Sequence, residues 1–189
     1  MRYLFVILLT GLFLVSSCRK EVPEVDEALM TLLKRGVEVG DSVQILYSDS
    51  ARLKVMIEAP VMYQETNRRY RIQTFPKGIY VEFYDDQGQL MSTLRANYAQ
   101  RREQDRQVIV RDDVVYESVQ GDKLETSELI WSENDRLVST DKPYRLRRAN
   151  GDLSNGLLGF TANESFTYFK SHSVYNRFLF EETKKDTVP

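Results

Sequence analysis

Side chains able to perform acid, base or nucleophilic chemistry are few in this sequence and poorly grouped. The single histidine, His172, lies in a polar Lys-Ser-His-Ser stretch typical of a surface turn, and any Ser-His-Asp or Cys-His set would need it. Paired carboxylates could act on a glycosidic bond, but each acidic doublet lies beside a glycine, an arginine or the polar tail, where solvated charges are expected. The doublets are Asp85-Asp86, Asp112-Asp113 and Glu181-Glu182. We therefore predict that the protein is not an enzyme.

The only cysteine, Cys18, closes an apolar run at the start of the chain. Arg2 gives the run a positive beginning, and residues 3–15 are shorter than a membrane span of about 20 residues. Small residues, Ser16 and Ser17, precede the cysteine. This pattern predicts a lipobox, in which the Cys18 thiol receives diacylglycerol and residues 1–17 are removed as a signal peptide. The alternatives are an uncleaved signal-anchor helix and a secretory peptide with a chance cysteine.

Composition narrows the class of protein further. Hydrophobic residues form 42% and aromatic residues 11% of the chain, which supports one folded domain. A net charge of -2 lacks the positive field of a nucleic-acid binder. One cysteine and one histidine cannot build a disulfide framework or a thiolate and imidazole metal cluster, and residues 156–159 lack the lysine of a phosphate-binding loop. We predict no cofactor, no metal site and no nucleic-acid partner.

Helical spacing is confined to the region after Cys18. Val25, Leu29, Leu32 and Leu33 recur at this spacing between Pro23 and Gly36, which predicts one short amphipathic helix over residues 24–35. The helix is either a spacer or a docking helix for a membrane partner. The predicted organisation is a signal peptide over residues 1–17, a lipidated tether with this helix over 18–40, a β-domain over 41–180 and a polar tail over 181–189.

From about Asp41 onward, apolar and polar residues alternate with a period of two, as in half-buried strands. Turn sequences separate the alternating segments at residues 75–78, 85–88, 120–122, 133–135, 141–143 and 150–152. A weak repeat of about 30 to 33 residues indicates stacked hairpins. We predict an all-β chain of eleven to thirteen strands whose two ends are open edges, able to pair with another chain unless they are covered.

Large apolar side chains crowd the last third of the sequence, including Trp131 and Phe160. They either fill the core of the β-domain or line a groove open to an acyl chain.

Several segments together resemble the LptC family of lipopolysaccharide-export proteins, in its Bacteroidota-like lipoprotein form. The likeness covers most of residues 41–170 and depends on the order and spacing of the pieces rather than on any one of them. The pieces are DSARLKVMIEAP at 49–60, FPKGIYVEF at 75–83, LRANY at 94–98, GDKLETSELIW at 121–131 and GLLGFTA at 156–162.

This resemblance implies an open, twisted β-jellyroll of antiparallel hairpins on the periplasmic side of the inner membrane. Such a protein joins an ABC exporter, formed by LptB, LptF and LptG, through its N-terminal edge and the bridge protein LptA through its C-terminal edge. Its groove shelters the lipid A acyl chains of lipopolysaccharide. Many members carry a membrane-spanning helix where this chain has a lipobox, and no aspartate follows Cys18 to mark inner-membrane retention, so the outer membrane is the alternative location.

Two sets of residues are assigned to these roles. We predict that the lipid groove is lined by Ile57, Val81, Tyr98, Leu129, Trp131 and Phe160. We predict that the partner edge spans residues 174–180, because apolar and polar residues alternate there and the tail beyond is too polar to add a strand. The residues assigned to this edge are Val174, Asn176, Phe178 and Phe180.

Two other functions stay open at this point. One is an outer-membrane or surface lipoprotein that binds a glycan or a protein partner, which copurification with an ABC exporter would distinguish. The other is a lipid-anchored hydrolase that uses carboxylates.

Replacement of Cys18 by serine should leave an unprocessed and unacylated precursor, because the hydroxyl cannot replace the thiolate as the lipid acceptor. Metabolic labelling with a fatty-acid analogue measures this. Label on the serine variant, or no label on the wild type, would contradict the lipobox prediction.

Overall fold

A computed structural model describes residues 27–173 and 175–177 of the protein, the last three as backbone only. The predicted signal peptide, Cys18 and the polar tail lie outside the described residues, as do Val174, Phe178 and Phe180 of the predicted partner edge. Within the described residues, no helix combines the length and the hydropathy needed to span a bilayer.

The predicted helix is confirmed as α1, Glu27–Lys34. Glu27 in its first turn and Lys34 in its last turn complement the helix dipole. Gly36 follows with a φ of 76°, a conformation that favours glycine after a helix, and its amide donates to the carbonyl of Leu33.

The remaining elements are fourteen strands of one antiparallel sheet, so the all-β prediction is confirmed. The strands are β1 (Val37–Asp49), β2 (Arg52–Thr66), β3 (Arg71–Phe75), β4 (Ile79–Tyr84), β5 (Leu90–Ala96), β6 (Tyr98–Arg102), β7 (Gln107–Ser118), β8 (Lys123–Ser132), β9 (Leu137–Thr140), β10 (Tyr144–Arg147), β11 (Leu153–Gly156), β12 (Phe160–Asn163), β13 (Phe169–Ser171) and β14 (Tyr175–Arg177). All six predicted turns fall at connections between consecutive strands.

Three long strands, β2, β7 and β8, divide this sheet into two halves, because each pairs with different neighbours along its length. In β2, residues 55–58 pair with β4 and residues 63–66 pair with β3. In β7, residues 107–111 pair with β6 and residues 115–118 pair with β5. Half-sheet A contains β3, β6, β9, β12 and β13, half-sheet B contains β4, β5, β10, β11 and β14, and both share β1, β2, β7 and β8. This arrangement is the twisted jellyroll that was expected.

The line where the halves meet, which we call the crease, is built from local backbone irregularities. Ser42 in β1 has a φ of 52°, and Asp112 and Asp113 in β7 have φ of 61° and 53°. Aspartate tolerates this left-handed region better than most residues. The amide of Asn97 donates to the carbonyl of Asp112 at 2.9 Å, and its side chain donates to Asp113 at 2.9 Å, which fastens the bend.

The crease also changes which residues face inward. In β2, Ala59 is buried in the core on one side of Pro60, and Met62 packs against the same core on the other side. In β8, opposite the bulge of β7, Leu124 and Leu129 both belong to the core although they lie five positions apart. Each half-sheet therefore turns one face, which we call its inner face, toward a single shared core.

That core draws on both halves. Its most buried aromatic residue, Phe160, is 0% exposed and packs against Tyr144 and Phe169, with ring centroids 5.0 and 4.7 Å away. The buried cluster comprises Ala59, Phe75, Ile79, Val81, Ala96, Ala99, Val110, Val114, Leu124, Leu129, Tyr144, Leu146, Phe160 and Ala162.

Three strands have a neighbour on one side only among the described residues. At the N-terminal end, β1 pairs with β2 along its whole length and with no other described strand. At the other end, β13 pairs only with β12 and β14 only with β11. The described part of the sheet thus has open edges at both ends.

Candidate functional site

The inner face of half-sheet A carries one row of side chains that runs across all nine of its strands. Cross-strand register makes its members neighbours, and they lie two residues further from the crease than the core positions Phe75, Ala99, Val110 and Leu129. From β1 to β13 this inner row is Glu38, Gln64, Gln73, Arg101, Val108, Trp131, Val138, Ala162 and Phe169.

The first four residues of the inner row are polar and hydrogen-bonded. The amide of Gln73 donates to Gln64 at 3.1 Å, and the amide of Gln64 donates to Glu38 at 2.8 Å. Arg101 forms a salt bridge with Glu133 at 3.1 Å. The Arg101 guanidinium also lies 5.9 Å from the centre of the Tyr47 ring, which belongs to the opposite half-sheet.

The last five residues of the row are apolar and continue into the core. Val108, Val138 and Phe169 are partly buried against the core cluster, and Ala162 belongs to it. The Trp131 indole N–H donates to Glu164 at 2.9 Å, so its polar atom points to the β12–β13 connection. An apolar inner surface of this kind can shelter hydrocarbon without directional bonds.

Five of the six predicted groove residues lie on the inner faces. Ile57 and Val81 are cross-strand partners in half-sheet B, and Leu129 and Phe160 lie in half-sheet A beside the inner row that contains Trp131. Their exposure differs. Val81, Leu129 and Phe160 are at most 5% exposed, so core packing seals them, whereas Ile57 and Trp131 are partly exposed.

The assignment of Tyr98 to the inward face is wrong. Period-two alternation placed Tyr98 with Leu94 and Ala96 on one strand, but the chain leaves half-sheet B at Asn97 and continues as β6 in half-sheet A. There Ala99 is buried at 1% exposure, so the preceding residue faces outward. Tyr98 pairs with Arg111 and accepts a hydrogen bond from Gln100.

A cavity also lies on the outer face, and the sequence analysis did not predict it. It is a groove of about 1480 Å³ along the crease. Its floor in half-sheet B is a cross-strand row that alternates with buried residues and contains Glu58, Tyr80, Arg95, Val115, Glu125, Arg145 and Asn155. Charges of both signs line this outer groove, which suits polar ligands rather than acyl chains. The alternation of charged with apolar residues in β5, β8 and β10 is the sequence signal that could have indicated it.

Burial raises the pKa of the Tyr80 phenol in the outer groove, and the carboxylates of Glu82 and Glu58 raise it further. The phenol therefore stays protonated near neutral pH and can donate a hydrogen bond, as it does to Glu82 at 3.3 Å.

The residues considered for catalysis are used in turns and bulges. Asp85 accepts the amides of Gln87 and Gln89 at 2.8 Å, and Asp86 forms a salt bridge with Lys54. His172 is exposed, with its ring nitrogens near the carbonyl of Leu158 and the hydroxyl of Thr161. Among the described residues, no three histidine, cysteine, aspartate or glutamate side chains are grouped as metal ligands. The doublet at 181–182 lies outside the described residues.

Only part of the predicted partner edge is described. Tyr175, Asn176 and Arg177 form β14, which pairs with Asn155, Ser154 and Leu153 of β11. The strand predicted there therefore exists over these three residues.

A family model described as "Lipopolysaccharide-assembly, LptC-related" matches residues 44–165, from the first strand to the connection after β12. The chain belongs to the LptC-related family. All five segments on which the resemblance depends lie within this match. No curated protein matches the chain.

Membership in the LptC-related family implies a role in lipopolysaccharide transport, within a family of envelope-associated transport components. The match contains Asp112 and Asp113 of the crease, the whole buried cluster and seven of the nine inner-row strands in full, so the family pattern coincides with the jellyroll and its inner faces.

Adjacent residues of β6 test the assignment of faces. Ala99→Asp should destabilise the protein by more than about 3 kcal/mol, because it buries an unpaired charge in the core. Tyr98→Asp should cost less than about 1 kcal/mol, because its carboxylate faces outward beside Arg111. Urea unfolding followed by circular dichroism measures both. Equal losses for the two variants would contradict the face assignment.

Proposed function

We propose that the protein is a membrane-anchored periplasmic component of lipopolysaccharide export, which passes lipopolysaccharide from an inner-membrane ABC exporter to a periplasmic bridge protein. Family membership supports the transport role. The passage of lipid between two partners is supported by one observation, the pair of apolar inner faces. Edge strands with one described neighbour each flank these faces at both ends of the sheet.

Acyl chains would lie against the partly buried inner residues rather than in the sealed part of the core. Ile57 in half-sheet B and Val108 in half-sheet A are examples of such residues, and both pack against the core cluster. Each methylene removed from water contributes about 0.8 kcal/mol. These contacts are not directional, so a chain can slide along the surface without any bond being made or broken.

The edge strands would pair with strands of the partner proteins and so extend the sheet into them. One side of β1 has no partner strand among the described residues over its thirteen residues, enough for a long main-chain ladder with the exporter's periplasmic domains. At the C-terminal end, β14 would pair with the incoming strand of the bridge protein. Main-chain hydrogen bonds across such edges would join the apolar inner faces of successive proteins.

Lipidation at Cys18 would anchor the protein, with the residues before β1 as a tether. Placement on the inner membrane follows from the exporter as partner. An outer-membrane or surface lipoprotein that binds a glycan or a protein is the second candidate function, and the outer groove with its tyrosine, arginine and asparagine side chains favours it. Copurification of the tagged protein with an ABC exporter would support export, and its absence would favour the second candidate.

Photocrosslinking in cells tests the export proposal through two adjacent residues of β2. Ile57 faces inward, whereas Met56 faces outward and contacts the side chain of Gln44. A photoreactive residue at position 57 should capture lipopolysaccharide, and the same residue at position 56 should capture at least about tenfold less, because acyl chains avoid the polar outer face. Equal capture, or none at position 57, would contradict the proposal.

The C-terminal edge is tested by two changes at Arg177. Proline there removes an amide donor and disturbs pairing, whereas alanine removes only the side chain. Arg177→Pro should stay folded and lipidated and keep the exporter, but lose the bridge protein in copurification. Arg177→Ala should retain both partners. If the proline variant retains the bridge protein as well as wild type does, the proteins must join through another edge.

A further inference from the structure

The inner row changes abruptly from polar to apolar between β6 and β7. Arg101 and Val108 are direct cross-strand partners at this boundary, with Gln73 on the polar side and Trp131 on the apolar side. An amphiphile that lies on this row with its chains on the apolar side would place its head group beside Arg101.

Arg101 is a cation held on an inner face. Its neighbour two positions earlier, Ala99, is 1% exposed, and its own side chain is 28% exposed. Its Nε and Nη2 atoms both donate to one oxygen of Glu133, at 3.2 and 3.1 Å. A guanidinium has five N–H donors, so three have no protein partner among the described residues.

A second inward salt bridge at a strand end joins Arg148 to Asp122, and its carboxylate has an additional partner that Glu133 lacks among the described residues. Asp122 accepts Arg148 at 3.0 Å and also accepts the amide of Ala149 at 2.8 Å, so this pair fastens two turns together. Glu133 receives side-chain hydrogen bonds from Arg101 alone among the described residues, and it is 24% exposed. An incoming anion can therefore replace Glu133 without breaking a turn.

We propose that Arg101 binds the phosphate ester on the sugar head of lipopolysaccharide while the acyl chains lie against the apolar part of the inner row. When no lipid is bound, the guanidinium of Arg101 forms its salt bridge with Glu133 instead. This inference rests on the proposed function and adds the head-group contact to it. The planar guanidinium fork matches phosphate oxygens in two parallel hydrogen bonds, which a carboxylate held through one oxygen does not satisfy. The Tyr47 ring lies 5.9 Å from the guanidinium carbon, on the side of the opposite half-sheet.

The test measures binding of fluorescently labelled lipopolysaccharide to the full chain in detergent, before and after removal of the lipid phosphates with hydrofluoric acid. For the wild type, phosphate removal should weaken binding about tenfold, which corresponds to about 1.4 kcal/mol. Arg101→Gln should bind both lipids equally, at the level of wild type with the dephosphorylated lipid. Glu133→Gln should bind the phosphorylated lipid more tightly than wild type, because the competing carboxylate is gone.

Arg102→Gln is the matched control, because Arg102 is the next residue of β6 and its Nε donates to Gln100 on the outer face at 2.9 Å. It removes the same charge and should keep the full dependence on phosphate. Arg101→Lys keeps the charge but not the fork, and it should show a smaller dependence than wild type. If Arg101→Gln fails to fold, the phosphate dependence of binding by Arg101→Lys and Glu133→Gln tests the contact instead.

Several results would overturn the inference. A wild type that binds both lipids equally, or an Arg101→Gln variant that still distinguishes them, would remove the phosphate contact and leave the proposed function intact. Equal competition by phosphatidylglycerol would assign the site to phospholipid phosphate instead of the glycolipid. A wild type that binds neither form of lipopolysaccharide would contradict the proposed function itself.

Discussion

Four strands belong to both halves of the sheet, and their bend at the crease is the constraint on which the rest of the structure depends. A strand that bends without an irregularity would keep its alternation and expose the core residues of one half. Ser42 of β1, which lies opposite Pro60 of β2, and Asp112 and Asp113 in the bulge of β7 have left-handed backbone conformations. At these positions the alternation is reset, so that Ala59 and Met62 of β2, and Leu124 and Leu129 of β8, reach the same core.

Residues next to the crease stabilise the fold, and residues further from it make the proposed lipid contacts. Core positions such as Val110 and Leu129 lie next to the crease, where both halves converge and leave no room for a ligand. The inner row lies two residues further out, about 7 Å along each strand. Except for Ala162, which is 0% exposed, the residues of this row are at least partly exposed and can contact lipid.

The side chains of the inner row change from polar to apolar from one strand to the next across the sheet. Glutamine and glutamate side chains on β1, β2 and β3 form a hydrogen-bonded series, and valine, tryptophan and phenylalanine occupy β7 to β13. The polar part therefore lies at the N-terminal edge, and the apolar part continues to the edge formed by β13. Continuity of the apolar part with that edge suits the passage of acyl chains to a neighbouring protein.

The sequence by itself determined the elements, because alternation, turn residues and a helical repeat are local properties. It predicted α1, the six turns and an all-β chain correctly, and the order of its segments indicated the family. Only the tertiary structure decided which face each strand turns inward. Tyr98 shows the reason: the chain crosses between half-sheets at Asn97, and no local pattern records that crossing. The pairing of Arg101 with Glu133 and the contact with Tyr47 likewise join residues that are distant in the chain. Such contacts arise from the register of β1, β6 and β8, which the bends at the crease set together.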